Sequence, residues 1–189
     1  MSPRRAFSIA IVVTGMILAT YPGSALADVG HVQHHGAPDA AIRFVGAKSV
    51  IGTYWDPGAW IGRHVRNRTA VHQTINEQLA GAAPKGSQYL YELKIRNPGA
   101  PRQFGVKVGG AGSWPVTYLV GKSDITAALV AGTYQTPVLA RGATFKITIE
   151  ARLGRPGTSL TRLFRVSPVV HPRSIDAVRL RIDYSRCGC

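Results

Sequence analysis

Acidic side chains are scarce in this sequence. Asp and Glu total 9 against 23 Lys and Arg in 189 residues, a formal charge of +14. Too few carboxylates are present to line an acidic calcium centre, and the surplus of cations speaks of anionic partners and solubility, not of fold. Cysteine is limited to Cys187 and Cys189, at the end of the chain. The ring that such a pair closes is too short to remove much chain entropy, so it is no staple for a core. Both methionines, Met1 and Met16, lie near the N-terminus. A blue-copper centre needs a Cys with a His shortly after it and usually an axial Met, and none of these is in place. The sequence also lacks a G-x-S-x-G elbow, an H-E-x-x-H helix, a P-loop and a C-x-x-C pair. Glutamate occurs only as Glu77, Glu92 and Glu150. Glu92 and Glu150 fall at outward strand positions, and Asp39, Asp56 and Asp124 sit where Asp commonly serves a turn, so no opposed carboxylate pair for glycoside hydrolysis stands out. The expectation is a non-enzymatic protein without a cofactor.

What is present begins with an address. Arg4 and Arg5 precede an apolar run over residues 6–20, Tyr21-Pro22-Gly23 breaks it, and Ala25-Leu26-Ala27 supplies small residues for a signal peptidase. Residues 1–27 read as a cleaved signal peptide, and the mature chain is expected to be secreted or held in the cell envelope. The apolar run is shorter than the roughly 20 residues that span hydrocarbon, so no membrane-spanning segment is expected. The two arginines are compatible with either general or twin-arginine export. Residues 28–40 show no apolar period and read as a flexible lead-in, residues 41–185 as one domain, and residues 186–189 as a cysteine-containing tail.

Within the domain the dominant period is two. Tyr89, Tyr91, Leu93 and Ile95 alternate with Glu92, Lys94 and Arg96; Phe104, Val106 and Val108 with Gln103, Gly105 and Lys107; Phe145, Ile147 and Ile149 with Lys146, Thr148 and Glu150; Val178, Leu180, Ile182 and Tyr184 with Arg179, Arg181 and Asp183. Each reads as a half-buried strand of an antiparallel sheet. Asn97-Pro98-Gly99-Ala100-Pro101 cannot continue a strand, and the natural reading joins its neighbours in a hairpin. Residues 41–45, 49–55, 114–120, 133–139 and 159–166 are further strand candidates. Residues 70–80 lean to strand, because Thr and Val offset the helical spacing of Val71, Ile75 and Leu79. Residues 124–130 fit one helical turn or a short edge strand. With 21 Gly and 12 Pro, short strands at this spacing predict an all-β sandwich or barrel.

Several of these strings resemble bacterial exported immunoglobulin-like modules of the CARDB type, the cell-adhesion-related domain of bacteria. They are Tyr91-Glu92-Leu93-Lys94-Ile95-Arg96-Asn97-Pro98-Gly99, Trp114-Pro115-Val116-Thr117-Tyr118 with Asp124-Ile125-Thr126, Gly132-Thr133-Tyr134, and Leu139-Ala140-Arg141-Gly142-Ala143-Thr144. The resemblance implies an immunoglobulin-like antiparallel β-sandwich, Trp114 in its core, no shared catalytic residues, and a role in surface architecture or binding. Arg141 departs from the proline often found at its turn, and the Cys187-Gly188-Cys189 tail is no part of the pattern.

Candidate sites follow from side-chain chemistry. His31, His34 and His35 can converge on copper, nickel or zinc, with Asp28 or Asp39 adding an oxygen; the competing reading is a solvated tail. Trp55 and Trp60 bracket the turn Asp56-Pro57-Gly58-Ala59, where two rings either stack on sugars or cap the sandwich. Lys94, Arg96, Lys107, Lys146, Arg179 and Arg181 all fall on outward strand positions. Strands sharing a sheet would then present a basic face to a cell-wall polymer, another anionic polymer or a surface protein; chromosomal DNA is excluded by compartment. Cys187 and Cys189, placed in an oxidising compartment, are read as a tail that permits intermolecular disulfides.

Overall fold

In the computed structural model of the chain, which describes residues 37–49, 52–55, 58–62, 68–70, 73–79 and 86–185, the period-two segments become strands. They are β1 (Asp39–Ser49), β2 (Gly52–Trp55), β3 (Thr74–Leu79), β4 (Gln88–Arg96), β5 (Phe104–Ala111), β6 (Val116–Val120), β7 (Ser123–Asp124), β8 (Tyr134–Gln135), β9 (Thr144–Arg152), β10 (Thr158–Pro168) and β11 (Asp176–Tyr184), with one short helix, α1 (Thr126–Ala131), between β7 and β8. They form a six-stranded sheet in the order β2-β1-β4-β9-β6-β7 and a five-stranded sheet in the order β3-β11-β10-β5-β8. The apolar faces of the two meet in a core that includes Ile42, Tyr91, Leu93, Ile147, Phe104, Phe164 and Leu180. The chain is thus an all-β sandwich of the expected class. Its sheets are antiparallel with one exception, the parallel pairing of β3 with β11.

Four local readings change. The segments joined by Asn97-Pro98-Gly99-Ala100-Pro101 do not form a hairpin: β4 lies in one sheet and β5 in the other. Asn97 is buried and holds this crossing. Its side-chain amide donates to the carbonyls of Ala100 (2.9 Å) and Leu139 (2.7 Å), and its Oδ1 accepts from Gly99 N at 3.0 Å. Residues 49–55 are not one strand, because Ser49 ends β1 and Gly52 begins the return strand opposite it. Residues 133–139 contribute only the two-residue β8 and a bridge from Leu139 to Arg102. Asp39 serves no turn; it begins β1 with only 3% of its surface exposed. Residues 74–79 are a strand, as expected, and residues 126–131 take the helical alternative, ended by Gly132 at φ 76°.

Two polar devices close the sandwich. Asp176, fully buried, accepts from Ala40 N (2.7 Å), Ala177 N (3.0 Å) and Gln73 Nε2 (3.1 Å), tying β1 and β11 to the residues just before β3. A carboxylate that takes several hydrogen bonds is the arrangement that makes its burial tolerable. At one pole Trp114, 2% exposed, donates Nε1 to the Thr158 hydroxyl at 2.7 Å and meets Tyr184 edge to face. The indole lies so close to Gly154 that any Cβ there would collide with its nitrogen.

Candidate polyanion-binding faces

On the outer face of the five-stranded sheet the charged side chains of β5, β10 and β11 are Lys107, Arg165, Arg179, Arg181 and Asp183, with Gly, Ala, Ser and Thr residues and Leu163 between them. The register sets Lys107 directly opposite Arg165, with Ala177 on the other side of Arg165 and Leu163 opposite Arg179. Directly opposed residues lie about 4.5–5.5 Å apart at Cα, and like charges so placed destabilise a sheet. Asp183 is the one acid among the described side chains of this face, and it is taken by Arg181 at 2.9 Å. Loops add cations at the margin. Arg179 donates to the Thr69 carbonyl at 3.1 Å, and the neighbouring Arg68 donates to the Arg173 carbonyl at 2.8 Å. The surface between these cations is low, since a Cβ built at Gly109 would meet open space. No aromatic side chain stands on the outward positions of β3, β5, β8, β10 or β11.

The six-stranded sheet carries a second cationic set on its own outer face. Lys94 of β4 is directly opposite Lys146 of β9, and Arg96 lies two residues further along β4. Glu92 bonds Arg43 through Oε2 (2.6 and 2.9 Å) and faces Lys146 at 3.7 Å; Glu150 faces Lys48 at 3.8 Å. Trp60, beside the residues that bridge to Ile42, has Arg43 at 4.6 Å and Lys94 at 3.9 Å from its ring centroid. The ring lies on the sheet's outer face as a cation–π partner, neither capping the core nor standing clear of the surface.

The structure therefore brings Trp60, Lys94 and Arg96 to one face and Arg179 and Arg181 to the opposite one, so these residues do not make a single site. Of Trp55 only the strand backbone is described. His31, His34, His35, Cys187 and Cys189 lie outside the described residues. Arg165, at the centre of the five-stranded face, escaped the sequence reading, although Leu160, Phe164 and Val166 mark their odd-numbered neighbours as outward. Arg68 and Arg173 come from loops, and no periodicity announces a loop residue.

Elsewhere the chemistry is sparse. An open cleft of about 920 Å³ lies at the Trp114 pole, lined by Pro115, Leu153, Arg155, Pro156, Thr158 and Tyr184; its Thr158 hydroxyl is already bonded to Trp114 and to the Arg155 carbonyl. Glu77 takes the inward register position opposite Ile182, and burial raises its carboxyl above the ordinary range. The Tyr91 phenol is pushed well up by burial, with the charges of Glu77 and Tyr89 adding to the shift. Asp124 is held low by hydrogen bonds from the Thr126 hydroxyl and amide, which start the helical turn. Among the described residues no three His, Cys, Asp or Glu side chains gather where a metal could bind.

No protein-family model matches the sequence, and no curated protein matches it. Solved structures similar to the chain include the N-terminal domain of PorA (14% identity, 77% of this chain and 96% of that one, TM-score 0.39). A PapD-like domain of human CEP192 (13% identity, 60% and 82%, TM-score 0.35) and the secreted serine protease VesC from Vibrio cholerae (17% identity, 57% and 21%, TM-score 0.35) are similar to the same degree. The chain thus covers only 21% of the protease's length.

Proposed function

We propose that this protein is an exported, non-enzymatic β-sandwich module that binds a linear acidic polysaccharide at the cell envelope, through the outer face of its five-stranded sheet. The observation that carries the reading is the Lys107–Arg165 opposition beside Arg179. A sheet gains nothing internally from like charges set directly across a strand pair, and a bound anion offsets their repulsion. The absence of outward aromatics on this sheet leaves bases without a stacking platform, which favours a sugar polymer over single-stranded nucleic acid. Export rests on the N-terminal pattern of residues 1–27, and the surface role agrees with the resemblance to adhesion-related modules. A neutral-glycan site on Trp60 is not favoured, because the ring already has two cations against it.

Titration with heparin at low and physiological salt tests the reading. The native chain should bind, and affinity should fall steeply with salt as counterions compete. Arg165→Glu with Arg179→Glu should lower affinity at least tenfold and leave the far-ultraviolet circular dichroism β-type. Unchanged affinity in a folded double variant removes this face from the account.

A further inference from the structure

We infer that one pole of the sandwich, the end at which β10 turns into β11, docks on the surface of an anionic lipid bilayer. Four large apolar side chains are exposed among the described residues, and three of them, Val138 (63% exposed), Val169 (40%) and Val170 (70%), stand at this pole. Backbone hydrogen bonds draw them together. Arg102 exchanges two with Leu139, the residue after Val138 (2.9 and 3.1 Å), and Val169 N donates to the Gln103 carbonyl at 3.1 Å. Residues 102–103 thus run between the two valine segments. Hydrogen-bonded strands lie about 4.8 Å apart, so Val138 and Val169 stand on the order of 10 Å from each other. Pro101, Pro137, Pro168 and Pro172 flank these segments and limit their freedom, so docking costs little ordering entropy.

The charge around the valines is of one sign. Residues 97–103, 136–143 and 168–175, which form the pole, contain no Asp or Glu. The two acids at this end of the strands, Asp39 and Asp176, are buried. Arg141 and Arg173 are exposed here, and Arg68 is held beside Arg173 through its bond to the Arg173 carbonyl. Scattered apolar residues need no explanation, whereas adjoining ones rimmed by polar groups mark a contact surface. An apolar tip ringed by cations matches a bilayer, whose headgroup phosphates overlie hydrocarbon. A polysaccharide supplies the anions but leaves the valines in water, and a protein partner would need an apolar patch edged by acids. The pole is separate from the Lys107–Arg165 pair, which lies farther along β5 and β10.

The test uses the full mature chain and sedimented vesicles, made of equal parts phosphatidylglycerol and phosphatidylcholine or of phosphatidylcholine alone. Physiological salt screens coating by charge alone. The native chain should sediment with the mixed vesicles and stay in solution with the neutral ones. Val138→Ser with Val169→Ser and Val170→Ser should lower vesicle affinity about tenfold or more. The same variant should keep its heparin affinity and its β-type circular dichroism. Arg141→Glu with Arg173→Glu should also lower vesicle affinity about tenfold. The native chain should raise the surface pressure of a phosphatidylglycerol monolayer, and the valine variant should not. Unchanged vesicle affinity in the folded valine variant means that charge alone does the binding, which overturns the inference and leaves the polysaccharide reading intact. Equal sedimentation with neutral vesicles overturns the choice of anionic lipid. No sedimentation with either vesicle overturns the docking, and a native dimer that the valine variant dissociates assigns the pole to a second copy of the chain instead.

Discussion

Replacing Lys107 by Glu should make the protein more stable while making it a poorer polyanion binder. Lys107 and Arg165 face each other across β5 and β10, both exposed on the outer surface. An opposed like pair costs, and an opposed unlike pair contributes, about 0.2–1 kcal/mol each, so converting one to the other should yield about 1 kcal/mol. For a domain of this size that is about 2–4 °C in Tm. Lys107 also has a packing role, since its aliphatic stem lies where a side chain at Gly132 would stand. Lys107→Met keeps the stem, removes only the repulsion and should recover roughly half of the gain. Thermal melts at low salt and at 1 M salt are the assay: the gain should shrink at 1 M, where the Debye length is about 3 Å. Lys107→Glu with Arg165→Glu restores a like pair and should abolish the gain. If Lys107→Glu destabilises at low salt and Lys107→Met does so equally, the opposition is not the source of strain, and the argument that a ligand relieves it fails.

Three further outcomes are expected. Gly154→Ala should cost about 1–3 kcal/mol in denaturant melts, because a Cβ there overlaps the buried Trp114 indole; an unchanged midpoint would show that this pole repacks freely. Asp176→Ala should cost about 3 kcal/mol or more, since it strips partners from the buried Ala40 and Ala177 amides; a loss under 1 kcal/mol would contradict the role given to it. Glu77 has a carboxyl raised by burial, so the native state binds its proton more tightly than the unfolded chain does. Its contribution is fully present below the unfolded value and is lost as pH rises through the raised one. Glu77→Gln should therefore melt higher than the native protein at pH 7 and alongside it near pH 3, and a gap that widens toward acid would reverse the sign of the argument.

Much of the fold was legible because alternation survives translation into strands: the residues between Tyr89 and Ile95, or between Val178 and Ile182, point as their period says. Sheet membership was not legible. The turn after Arg96 looks the same whether the chain folds back in one sheet or crosses to the other, and the decision rests with Asn97 and its bond to Leu139, a partner 42 residues away. The same limit governed the site. Period two marked Lys94, Lys107, Lys146, Arg179 and Arg181 as outward, but outward on which sheet depends on pairing, and pairing depends on contacts distant in sequence. The parallel β3–β11 pair is likewise invisible locally, since an edge strand has the same pattern in either direction. Asp39 misled as polar residues do when a fold buries them with partners.

Lysine footprinting tests the central claim most directly. Acetylation of the native chain with and without heparin, read by mass spectrometry, compares exposed lysines in one experiment. Lys107 should be protected by the polymer. Lys122, exposed in the β6–β7 turn of the other sheet, should react at the same rate throughout. Equal protection of Lys122 and Lys107 would mean that heparin coats a generally basic surface, and the five-stranded face would lose its claim to be a site.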